Sequence, residues 1–370
     1  MSTIKSISWA ILPDNAPSFL LDWELTLKCN LDCSYCGEGP DGAHDNNGKH
    51  PPLKECLGAI DFMYAYVDEY MKQRKVNQRK VVLNVYGGEA LFHPDIVEIL
   101  KATREKYDRY KDNWHLTITT TTNGVINKSI WKEIIPLIDE FTISYHAENY
   151  PKQEKLFFEN LLEAHKSKSR VKCVIMMHEK LWDKSMQCIK FCEENNVRYL
   201  AKPLDTIDSH YTEEQSNYFK RTWNIDLGPA LSKDSQTVSI HNGRACCGGR
   251  CMSLNNDLKS NVTYIPRQDF RGWSCSVNHF FLYIKQASRE VFVNKDCRMR
   301  FDGSVGPIGL LDDTDAILKT LRSQMTSRIP VITCAKKLCF CGICAPKADN
   351  KDDFKDLMSR TLTTTDILEV

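Results

Sequence analysis

The sequence has no uninterrupted apolar stretch near the 18 residues that a membrane-spanning helix needs. Its N-terminus, MSTIKSISWAILPDNAPS, carries an apolar patch too short and too broken for a secretory signal. A cytoplasmic protein with no membrane partner is therefore expected. A charge excess is also missing, since 49 Lys plus Arg face 48 Asp plus Glu over 370 residues. Phosphate contacts need basic surface, so nucleic acid is a disfavoured partner. Two local basic runs, KQRKVNQRK at 72–80 and HKSKSRVK at 165–172, fall where predicted helices give way to strands. Positive charge there complements a helix C-terminus. No internal repeat and no low-complexity segment is present. The 42% hydrophobic content is enough for a sizeable core.

Cysteine is plentiful, with 16 residues unevenly spread. In a reducing compartment, clustered cysteines point to metal or redox chemistry more often than to disulfides. Three lie at 29–36 and nine between 246 and 344. Cys56, Cys173, Cys188 and Cys192 fall singly in predicted helices or strands and read most simply as core thiols.

Hydrophobic periodicity predicts strands over 19–27, 80–86, 115–121, 140–146, 171–177 and 197–203. Helices are predicted between them at 53–74, 95–108, 129–138, 152–167 and 182–195. This α/β alternation implies a parallel sheet built from right-handed crossovers. Six units, not eight, predict a partial (β/α)6 barrel of TIM type, whose site lies on the loops leaving the strands' C-terminal ends. Every conspicuous motif falls there: the cysteines, then GGE, TNG and SYHAE. Regularity is lost after Leu204. A bridging segment at 205–265 contains helix candidates, the polar SKDSQTVSIHNGR and ACCGGRC. A small cysteine-rich unit at 266–346 opens with two strands about a polar turn and closes with CAKKLCFCGIC, leaving a charged tail at 347–370.

Cys29, Cys33 and Cys36 crowd three thiols into eight residues. Such gaps let one loop ligate three corners of an iron-sulfur cubane and leave one iron open. A zinc site closed by His44 or His50 is the alternative, because structural zinc takes four ligands.

CxxxCxxC with Tyr35 before its last cysteine, placed after a first barrel strand and followed by YGGEA after the second, resembles the radical SAM superfamily over residues 18–204. The resemblance implies a [4Fe-4S] cluster on Cys29, Cys33 and Cys36 with S-adenosylmethionine (SAM) on the open iron. Gly87, Gly88 and Glu89 would meet its methionine ammonium, the glycines through backbone and Glu89 through charge. Ser144 matches a polar position that contacts the SAM carboxylate or ribose, although a strand serine bonded to backbone is an equal reading. Asn123 would sit at the barrel mouth, or serve only as a turn residue. Tyr35 and the segment around Leu200 would flank the adenine, with a plain core role open for Leu200. An electron from a flavodoxin- or ferredoxin-type donor would cleave SAM to a 5'-deoxyadenosyl radical, which takes a hydrogen atom from substrate.

Cys275 and Cys297, flanking the predicted hairpin, with Cys334, Cys339, Cys341 and Cys344, resemble a SPASM or twitch auxiliary-cluster domain. This implies one auxiliary Fe–S cluster, or two, although the glycine usual before the second hairpin cysteine is absent and the final gaps differ. A zinc ribbon is the alternative. Cys246, Cys247 and Cys251 could serve a second cluster, donate a hydrogen atom, or be inert. His146 stands where peptide-modifying relatives carry an aspartate, and is a candidate acid/base or substrate contact as well as a candidate structural histidine. The long polar loop at 37–52 is a candidate substrate cover. Only 28 residues precede Cys29, which argues against the leader-dependent maturases. The function expected is modification of a peptide or protein side chain. The alternatives are a radical enzyme acting on a small molecule or nucleotide, and a non-catalytic iron-sulfur or zinc protein.

Overall fold

The computed structural model describes residues 6–7, 19–36, 48–73, 80–204, 211–223, 235–241, 244–247, 262–266, 270–279, 281–295, 297–300, 302–325, 331–335 and 347–355. Six βα steps dominate it. Strand β1 (Phe19–Thr26) leads to α1 (Leu53–Gln73), and β2 (Lys80–Gly87) to α2 (Ile96–Tyr107). Then come β3 (His115–Thr122), α3 (Lys128–Ile134), β4 (Glu140–His146) and α4 (Pro151–His165). Strands β5 (Arg170–Met177) and β6 (Tyr199–Pro203) follow, each with its helix, α5 (Trp182–Glu194) and α6 (Glu213–Trp223). All six strands pair in parallel in strict chain order. Parallel crossovers are right-handed as a rule, and with every step taken in one direction they put the helices on one face of the sheet.

Side chains alternate accordingly. Phe19, Leu21, Trp23 and Leu25 of β1, with Val81, Leu83 and Val85 of β2 and Phe141, Ile143 and Tyr145 of β4, join the main core with the helices. The opposite face carries Asp22, Glu24, Asn84, Ser144 and His146. This face mixes those polar groups with the apolar Leu20 and Val82, which pack into the C-terminal hydrophobic cluster. Predicted and observed boundaries agree within two residues except at α3. There the chain tightens into a 3-10 turn, Ile135–Leu137, because Pro136 has no N–H to continue the ladder.

The C-terminal part differs from expectation in one respect. The predicted hairpin forms, as β7 (Phe281–Lys285) and β8 (Glu290–Phe292), and β9 (Gly309–Leu310) pairs with its second strand. However, β7 also pairs in parallel with β1, from Phe281 opposite Leu20 to Lys285 opposite Glu24. The hairpin thus continues the main sheet instead of lying within a separate cysteine-rich unit. It covers what would be an open edge. Trp23 Nε1 donates to Gln286 Oε1 at 2.9 Å, and Tyr283 OH to Glu24 Oε2 at 2.6 Å across this seam. Helix α7 (Thr314–Met325) then packs against α1.

The polar SKDSQTVSIHNGR contains a strand, Ser235–His241, at the centre of a three-stranded antiparallel sheet with Arg244–Cys247 and Val262–Pro266. Thr237, Val238 and Ile240 are β-branched, a preference hidden in the sequence by flanking polar residues. Four two-residue strands, including Ser274–Cys275 and Ile332–Thr333, form another small sheet. Among the described residues no helix is long and apolar enough to cross a membrane.

Candidate active site

At the end of β1 the register against β2 shifts between Glu24 and Thr26, an irregularity that turns the chain into the cysteine loop. The GGE segment lies flat against that loop. Gly88 N–H donates to Thr26 O at 2.8 Å and Glu89 N–H to Lys28 O at 2.7 Å. A Cβ on Gly87 would stand 2.0 Å from Thr26 O, and one on Gly88 2.4 Å from Lys28 O. Neither position accepts a side chain unless the backbone leading to Cys29 moves.

Cys29, Cys33 and Cys36 are all half-buried and line one cavity of about 180 Å³ with Gly87, Gly88, Asn123, Ser144 and His146. The turn that presents the last two is closed by Cys36 N–H donating to Cys33 O at 3.0 Å. The cavity lies at the C-terminal ends of β1 to β4, where parallel βα units expose their loops. Burial pushes the Cys29 thiol up to about 11 and the Cys33 thiol to about 12, with further upward pressure on Cys33 from Cys36. Cys36 is raised by burial and by the Glu148 charge. Converging thiols of this kind keep their protons until a cation draws them off. The Leu31 N–H points to Cys29 Sγ at 3.4 Å and Asn123 Nδ2 lies 3.7 Å from it, which are N–H donors of the type that stabilise a ligating thiolate. The donor set fits an iron-sulfur group.

Glu89 sits elsewhere than on the cavity wall. Only 1% exposed, its carboxylate accepts from Leu91 N–H at 3.0 Å and from Asn123 N–H at 2.6 Å. Burial pushes it up to about 7. Its visible work is to brace the TNG turn. That turn is held further by Asn30, whose Oδ1 accepts from Asn123 Nδ2 at 2.7 Å and whose Nδ2 donates to Val125 O at 2.6 Å. From α4, Asn160 Nδ2 donates to Gly124 O and Ile126 O at 2.9 and 2.8 Å.

Tyr35 OH and His146 Nδ1 are 2.7 Å apart, and the two rings stack with centroids at 5.9 Å. The adjacent Ser34 donates from N–H and Oγ to the Glu148 carboxylate at 2.8 and 2.5 Å. His178 Nε2 lies 3.4 Å from the same carboxylate. Burial works to raise Glu148, but the Ser34 hydrogen bonds and His178 outweigh it and hold the carboxyl below its usual range. The cysteine loop is therefore clamped from β4 and from the end of β5. Leu200 is buried on β6 opposite Val174 and does not line the cavity.

His50 does not line the cavity either. Its Nδ1 is 3.2 Å from Thr26 Oγ1 and its ring meets those of His93 and Phe92. His44 lies outside the described residues. In the C-terminal part, Cys275 and Cys334 share a buried cluster with Phe270, Trp273 and Phe281, and Cys297 packs against it. Cys339, Cys341, Cys344 and Cys251 lie outside the described residues, as do the side chains of Cys246 and Cys247 and most of the 37–52 loop.

Asn30 and Glu148 lie inside the cysteine and SYHAE motifs without being singled out there, and Asn160 and His178 belong to the site without a motif to mark them. Of the last two, only Asn160 carries a signal in the sequence: it stands on the apolar stripe of α4 with Phe157, Leu161 and Ala164, where a poor helix former needs a reason to be.

Residues 23–198 match the Radical SAM superfamily. No curated protein matches the chain. Among solved structures, SuiB of Streptococcus suis bound to S-adenosylmethionine is similar at 14% identity and a TM-score of 0.44, over 83% of this chain and 68% of that one. Histidine-tagged anSMEcpe with bound AdoMet is similar at 13% identity and a TM-score of 0.48, over 94% and 92%. Native anSMEcpe with AdoMet and the Cp18Cys peptide gives 13% identity and 0.48, over 94% and 96%.

Proposed function

We propose, from the premise that this chain is an enzyme carrying a radical SAM domain over residues 23–198, that it cleaves SAM reductively and uses the 5'-deoxyadenosyl radical on a peptide or protein side chain. The observation that carries the reading is the convergence of Cys29, Cys33 and Cys36 with Gly87, Gly88, Ser144 and His146 on one cavity. Cys29, Cys33 and Cys36 would hold a [4Fe-4S] cluster, which supplies the electron when SAM is bound. The chain's own residues then have separate tasks. Gly87 and Gly88, lacking a Cβ, let their backbone lie against the cysteine loop and line the cavity beside it. Asn123, fixed by Glu89 and Asn30, keeps a donor beside Cys29 Sγ. Ser144 offers a hydroxyl to the SAM carboxylate or ribose. His146, whose Nδ1 lies 2.7 Å from Tyr35 OH, lines the cavity as the candidate substrate contact or acid/base.

The strict strand order and single helix layer support the partial-barrel reading. An auxiliary Fe–S cluster in the C-terminal part is supported by Cys275, Cys297 and Cys334 sharing one hydrophobic cluster. The peptide substrate rests on the resemblance of that cysteine pattern to SPASM and twitch domains, and a flavodoxin- or ferredoxin-type protein would donate the electron.

The test is 5'-deoxyadenosine formation by the anaerobically reconstituted chain with SAM and a strong reductant, wild type beside Cys33→Ala. Product from wild type alone is expected. Equal product from both, or none from a wild type loaded with iron and sulfide, would overturn the reading.

A further inference from the structure

Cys173, Cys188 and Cys192 stand apart in the sequence, where each reads as a core thiol. In the fold they meet. Cys173 lies mid-strand on β5, flanked by Ile143 of β4 and Tyr199 of β6, and faces the helix layer. Cys188 and Cys192 stand one turn apart on α5, so both project from the same side of that helix. All three side chains are 0% exposed. Their sulfurs lie within 4.8 Å of one another, and among the described residues no other group of three or more His, Cys, Asp or Glu does this.

That spacing distinguishes them from Cys29, Cys33 and Cys36. Sulfurs on a cubane hang from different irons and stand well apart, whereas sulfurs on a single zinc, at Zn–S of about 2.3 Å, lie about 3.8 Å from each other. We propose that Cys173, Cys188 and Cys192 form a second metal site, which takes one zinc-class divalent ion and ties α5 to β5.

The chemistry favours a divalent ion over Cu(I). Three thiolates around a monovalent ion leave two negative charges in an apolar layer, and around a divalent ion only one. Metal uptake releases the thiol protons to solvent as the sulfurs bind.

The experiment uses the full chain with its iron-sulfur sites reconstituted, exposed to Zn(II) and desalted. Wild type is compared with Cys173→Ala/Cys192→Ala for zinc, iron and sulfide per chain. One zinc more in wild type, with iron and sulfide equal, is the expected result. Equal zinc in both overturns the site. Hydrogen exchange of wild type with and without Zn(II) keeps the proposal testable should the double variant misfold. Slowing in β5 and α5 supports it. Slowing confined to the C-terminal part, no slowing, or a disulfide between two of the three cysteines in the purified chain counts against it.

Discussion

Gly88 shows how a single hydrogen atom carries the site. Its missing Cβ would otherwise meet the carbonyl oxygens of Lys28 and Leu27 at 2.4 and 2.5 Å, and both are backbone atoms with no freedom to swing away. Gly88→Ala should therefore displace the cysteine loop and lower iron and sulfide per chain after reconstitution. Gly58→Ala is the matched control, because its Cβ would meet nothing within 4 Å on helix α1, and a gain of about 1 kcal/mol is expected there. Similar iron loss in both variants would refute the close-approach argument. Glu89 makes a pH prediction. Its folded pKa, near 7, lies above the ordinary 4.5, so its contribution to stability is fully present below 4.5 and is lost as pH rises to about 7. Urea unfolding of the cluster-free chain should show wild type losing stability across that interval more steeply than Glu89→Gln. Parallel profiles would place the buried carboxylate's titration elsewhere.

Among the elements, the seam between β1 and β7 matters most. All eight residues of β1 are buried, which a sheet edge could not achieve without the strand laid beside it. Leu282 of β7 is 0% exposed and belongs to the main core. Leu282→Ala should cost about 2–5 kcal/mol. If β7 and β8 are integral to the sheet, the variant will unfold in one transition, shifted as a whole. A second transition carrying the loss, with the first unmoved, would show that the hairpin folds as its own unit. The brace from α4 to the TNG turn through Asn160 belongs to this scale as well, since it fixes how a helix hands its position to the site.

For the whole molecule, binding and folding should be linked. SAM that binds only the folded, cluster-bearing chain stabilises it by about 2.7 kcal/mol at 100 times its Kd. A rise in the melting temperature with SAM is therefore expected for the reconstituted wild type and not for Cys33→Ala. An equal rise in both would mean that SAM binds without the cluster cysteines. The two halves of the chain answer to different constraints here. The βα half builds the cavity, while the C-terminal hairpin seals its first strand and brings Cys275, Cys297 and Cys334 into a shared hydrophobic cluster.

The order of strands and helices through residue 204 and the strand-end position of every motif were legible in the sequence. Hydrophobic period and turn chemistry are local, and five sequential right-handed crossovers leave one arrangement. What tertiary structure alone decided were the contacts between residues far apart in the chain. Glu89, read as a charge for a ligand, is also a buried brace for Asn123, whose N–H reaches it from 34 residues along the chain. The hairpin joins the main sheet because β1 needed a neighbour. Three cysteines without a shared motif become one cluster because a strand and the helix that follows it pack face to face. Periodicity records which face a side chain takes, and only packing records what it meets there.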